Sequence, residues 1–83
     1  MRNYYSELRR AEKLGKTSVR DLLYVFLDEI KAEKDAIELD RLLNDINCLT
    51  IIAGSKELSK MYEKLSNELL TWLGENVNAF KGE

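Results

Sequence analysis

Between Ile30 and Leu39 the apolar stripe of this chain moves to the other side of the helical wheel. Val19, Leu22, Leu23, Phe26 and Ile30 share one face at helical spacing, whereas Leu39, Leu42, Leu43, Ile46 and Leu49 share a face about half a turn away. A straight helix through both groups would bury opposite sides in its two halves. A break near 32–35 is the simpler reading, and Asp35-Ala36-Ile37-Glu38 has the Asp-x-x-Glu spacing of a helix start, in which Asp35 caps and Glu38 answers. The rival is one long rod exchanged between two chains.

The remaining pattern is also helical. The 83 residues include no Pro and only four Gly, and no alternating strand pattern is present. Tyr4, Leu8 and Ala11 share a face that ends before Gly15. Ser18 stands where a cap for the next helix is expected, with Asp21 adding negative charge to its first turn. Gly54 and Ser55 separate the third helix from a fourth, whose stripe is Leu58, Met61, Tyr62, Leu65, Leu69, Trp72 and Leu73. Val77 and Phe80 continue that phase beyond Gly74, so residues 75–83 read as a frayed extension or a short closing turn. The expected fold is all-α: one domain, 1–83, forming a small bundle of four short helices at about 3–14, 19–32, 36–53 and 56–73. A chain this short buries only about 60–65% of its unfolded surface, which motivates the expectation that a homodimer completes the fold.

The inventory removes several chemistries. With no His, Ser-His and Cys-His nucleophiles cannot be built, and Cys48 alone closes neither a structural zinc site nor an intrachain disulfide. No catalytic, metal or cofactor residues are expected, and the protein reads as a non-enzyme. Apolar runs such as Ile51-Ile52-Ala53 are far short of a membrane span, and Met1–Tyr5 lack the apolar core of a signal peptide. A cytoplasmic location is the expectation.

Charge is unevenly placed, with a formal net of −2. Residues 1–16 carry five cations and two carboxylates; residues 28–45 carry seven carboxylates and three cations. The expected contact residues are therefore Tyr5, Arg9 and Arg10 on the basic first helix, and Asp28, Glu33, Asp40 and Asp45 on the acidic faces of the second and third. An alternative uses Arg2, Arg9, Arg10 and Lys13 on nucleic acid, but five cations in one helix make a sparse phosphate surface. Its bland counterpart places Tyr4 in the core and leaves the cations solvated or paired with third-helix acids. At the end of the third helix, Ile46, Cys48, Leu49, Ile51, Ile52 and Ala53 cover nearly the whole circumference. That turn is expected to be buried all round, either centrally or at a subunit interface formed by Ile46, Leu49, Ile51 and Ile52, with Cys48 as a small core residue.

Glu38-Leu39-Asp40-Arg41-Leu42-Leu43 resembles the Ser-Gln-Glu-Leu-Asp signature of helical-hairpin phosphatases acting on response-regulator aspartyl phosphate. Ala36 and Ile37 stand where that signature has Ser and Gln. Trp72-Leu73-Gly74 resembles the Trp-x-Gly of small secreted helical-hairpin substrates, whose motif lies at a central turn; here nine residues follow it. The size and layout are similar to immunity proteins against bacteriocins, a likeness of architecture alone. The expected function is protein binding, as a small bacterial or phage-encoded regulator or inhibitor.

Overall fold

The computed structural model describes residues 2–77, in which four helices run α1 (Tyr4–Glu12), α2 (Lys16–Glu33), α3 (Ala36–Ile52) and α4 (Lys56–Glu75). No strand occurs among the described residues. The fold is a small all-α four-helix bundle.

The chain reverses where the stripes change phase. Lys34 ends α2 in the left-handed conformation, φ 53° and ψ 40°, and its N–H bonds back to the Ile30 carbonyl at 2.8 Å. Asp35 follows in extended backbone, and its carboxylate accepts from the Ile37 and Glu38 amides. Two residues thus suffice to stop one helix and start the next. The expected reply from Glu38 to the cap is replaced: its carboxylate is held instead by Tyr4 and Arg41.

The other turns are as compact. Ser55 caps α4 by accepting from the Leu58 amide. The start of α2 differs from expectation, because Ser18 lies inside the helix and Gly15 is the N-cap, at φ 119° and ψ 166°. That backbone region is essentially reserved for glycine, so the residue before Lys16 sets the start without any side-chain cap. Continuing past Gly74, α4 ends at Glu75, with Asn76 as its C-cap. Phe80 and the rest of the expected tail lie outside the described residues.

α1 packs on α2 and α3, and α4 packs on α3 and α2, so the helices stand in the cyclic order α1, α2, α4, α3. The core collects Tyr4 and Leu8 of α1, Val19, Leu23, Phe26 and Ile30 of α2, Leu39, Leu42, Ile46 and Leu49 of α3, and Tyr62, Leu65 and Leu69 of α4. α3 and α4 make the most extensive pair, helped by small polar residues at their seam: Ser59 donates to the Thr50 carbonyl at 2.8 Å, and buried Ser66 donates to Asn47 at 3.4 Å.

α1 spans nine residues, too few to hold a helix in isolation. Two tyrosine–glutamate bonds clasp it. At its start the Tyr4 hydroxyl donates to Glu38 of α3 at 2.8 Å, and at its end Glu12 accepts from the Tyr62 hydroxyl of α4 at 2.6 Å. Around the first clasp, Arg41 donates to Glu38 and to the Arg2 carbonyl and lies over the Tyr4 ring. Tyr4 meets Phe26 edge-on at 4.9 Å, and Arg2 covers the Phe26 ring while bonding Glu29.

Candidate functional site

The bundle measures 39 × 24 × 18 Å, and its turns alternate between the two ends of the long axis. At one end stand the α1–α2 turn and the α3–α4 turn; Lys13 and Ser55 border the same hollow, and Lys16 of α2 pairs with Glu57 of α4. At the other end stand the start of α1, the α2–α3 reversal and the end of α4, tied by Arg2 to Glu29 and by Tyr4 to Glu38.

Charge separates between these ends. At the first, α1 and its turn supply Arg9, Arg10 and Lys13, α2 supplies Lys16 and Arg20, and α4 supplies Lys56 and Lys60, all exposed. Only Glu12, Asp21 and Glu57 oppose them within 9–21 and 49–60. All three are already engaged: Glu12 by Tyr62 and Arg9, Glu57 by Lys16, and Asp21 by Arg20. Among the described residues, no carboxylate pairs with Arg10, Lys13, Lys56 or Lys60. Two helices begin and two end here, so the helix dipoles oppose one another and the side chains set the field. This end is the basic pole.

Residues 28–45, with seven carboxylates to three cations, build the opposite, acidic pole. Asp28, Glu33 and Asp40 are exposed there and Asp45 is half-buried; among the described residues none of the four forms an ion pair. Asp40 accepts only a long bond from Asn44, at 3.5 Å.

The expected contact residues therefore divide. Arg9 and Arg10 lie toward the basic pole. Tyr5, one turn earlier, borders a hollow with Arg2, Arg41 and Asp45, so it sits beside the acidic face. Arg2 leaves the candidate nucleic-acid set, because it is bonded to Glu29 and Glu7 at the far end from Lys13. Of the cations of α1 and its flanks, Arg2 pairs with Glu7 and Glu29 and Arg9 with Glu12, while Arg10 and Lys13 stand exposed without an ion pair. The solvated half of the expectation holds, and the pairing with α3 acids does not occur among the described residues.

The end of α3 is not buried all round. Ile46 and Leu49 point inward and are covered by this chain alone, which removes them from the expected interface, whereas Ile51 is 84% and Ile52 44% exposed. Cys48 is exposed too, in place of the expected core position. The α1–α2 turn adds Leu14, 80% exposed, because α1 ends at Glu12 and leaves it outside the helix. The basic pole thus carries bare apolar side chains among its cations. Sequence reasoning missed Leu14, Lys56 and Lys60 as site residues; the i, i+4 spacing of the two lysines at the start of α4 was the only signal.

Titration follows the clasps. Burial first, then the bond to a carboxylate, raises both tyrosine hydroxyls, Tyr4 beside Glu38 and Tyr62 beside Glu12, above their ordinary value. The Tyr4 hydroxyl, then Arg41, holds Glu38 below the usual carboxylate range, and Lys16 does the same for Glu57. Among the described residues, no three metal-ligating side chains converge, and no helix is long and apolar enough to cross a membrane. Compared with protein-family models, curated proteins and solved structures, the chain matches none.

Proposed function

We propose that the protein is a non-catalytic binding module that engages a basic surface of another protein through its acidic pole. The observation that supports this reading is the set Asp28, Glu33, Asp40 and Asp45, held on rigid helices without internal counter-ions. Carboxylates left unpaired toward one end of a molecule steer a partner of opposite charge and fix its orientation. A regulator or inhibitor of this size works by occupying such a patch.

The test is comparative capture from host extract, with the wild type and a variant carrying Asp28→Lys, Glu33→Lys, Asp40→Lys and Asp45→Lys. A protein retained by the wild type and lost with the variant is the expected result. Identical capture profiles, with the variant folded by circular dichroism, would overturn the reading. A nucleic-acid role has less support: with Arg2 bonded to Glu29 and Arg9 to Glu12, its set falls to Arg10 and Lys13. A bacteriocin-immunity role has only architecture behind it.

A further inference from the structure

We infer that the basic pole docks on an anionic lipid surface, with Leu14, Ile51 and Ile52 entering the headgroup boundary and lysines around them resting on the lipid phosphates. Three observations converge on this partner. The first is composition at the tip. Leu14 and Ile51 are 80% and 84% exposed, and the neighbouring turns and helix starts carry Lys13, Lys16 and Lys56. A leaflet takes both kinds of group at once, since methyls enter the acyl boundary while ammonium groups on flexible stems stay among the headgroups.

The second observation is size. The bundle end is narrow, with principal extents of 24 × 18 Å across the long axis, whereas a stable protein interface takes ~800 Å² of accessible surface from each partner. A membrane sets no such minimum, because each cation near the surface adds attraction independently of shape. A nucleic-acid strand fits less well, as its phosphates gain nothing from the bare leucine and isoleucine side chains.

The third is charge separation along the long axis. The net charge of −2 opposes approach to an anionic surface when taken as a whole. The exposed carboxylates, however, stand back from this tip: Asp28 lies twelve residues along α2 from Lys16 and Asp40 twelve residues along α3 from Ile52, about 18 Å each at the helical rise and nearly two Debye lengths at the ~10 Å screening of 0.1 M salt. Contact is governed by the near pole. Docking in this pose leaves Asp28, Glu33 and Asp40 facing away from the membrane.

Vesicle flotation tests this directly, using neutral phosphatidylcholine and the same lipid with about 30% phosphatidylglycerol in about 0.1 M salt. The wild type should float with the anionic vesicles only and be released by about 0.5 M salt. Leu14→Asp with Ile51→Gln, and separately Lys13→Glu with Lys56→Glu, should each lower partitioning at least about tenfold. All four positions are exposed, so circular dichroism and melting temperature should hold. A neutralised acidic-pole variant, Asp28→Asn with Glu33→Gln, Asp40→Asn and Asp45→Asn, should float with anionic vesicles at least as well as the wild type while losing the captured protein, which separates this inference from the protein-binding reading. Failure of the wild type to float with anionic vesicles would overturn the proposal. So would wild-type flotation by the Leu14→Asp/Ile51→Gln variant. Tighter binding to a DNA duplex or to polyglutamate than to vesicles would reassign the pole to polyanion or acidic-protein contact and also overturn it.

Discussion

Lys34 makes the reversal between α2 and α3 in a conformation that places a side-chain Cβ against the following carbonyl. Lys34→Gly relieves that contact but adds freedom to the unfolded chain, and should stabilise the fold by about 0.5 kcal/mol. A rise of a few degrees in thermal midpoint would register it, and a fall would show that the lysine stem packs usefully there. Asp35 is the converse case. Its carboxylate satisfies two amides that α3 otherwise leaves open, so Asp35→Ala should cost about 1 kcal/mol in urea unfolding. This reversal was legible because two signals agreed, the half-turn change of phase and the Asp-x-x-Glu spacing. The start of α2 was not, because Thr17 and Ser18 look like caps while the determinant is a glycine dihedral with no side chain to read.

At the scale of the element, α1 depends on its clasps as much as on its three buried residues, Tyr4, Leu8 and Ala11. Tyr62→Phe keeps the ring in the core but deprives half-buried Glu12 of its donor, and should cost about 1.5–2 kcal/mol in chemical denaturation. The pH profile follows from the same bonds. Both phenols titrate higher when folded than when unfolded, so their stabilisation is complete below the unfolded value near ~10 and is lost as pH rises beyond it. Glu38 titrates lower when folded, so its contribution is present above the ordinary carboxylate range and is lost as pH falls through the folded value. Urea midpoints should therefore plateau near neutrality and drop at both extremes, and Tyr62→Phe should flatten the alkaline limb. No local pattern discloses bonds joining residues 34 and 50 positions apart, though the apolar spacing did place both tyrosine rings inside.

For the whole molecule, separated poles mean that net charge predicts behaviour poorly. At pH 7 and low ionic strength the protein should be retained by cation and anion exchangers alike, and Lys13→Glu with Lys56→Glu should abolish the first retention while strengthening the second. Passage of the wild type through the cation exchanger would contradict a coherent basic pole. The sequence showed an acidic middle and a basic start, but the basic pole needs Lys56 and Lys60 brought beside Lys13 and Lys16. That juxtaposition exists only once the two turns share an end. The same up-and-down path puts Arg2, bonded to Glu29 of α2, and the last turn of α4 both toward the opposite end. A fluorophore, affinity handle or fused domain attached near the last turn of α4, a helix of 20 residues, would stand about 30 Å from the lysine-bearing tips. Immobilised copies would then present those tips outward, unobstructed by their own tether.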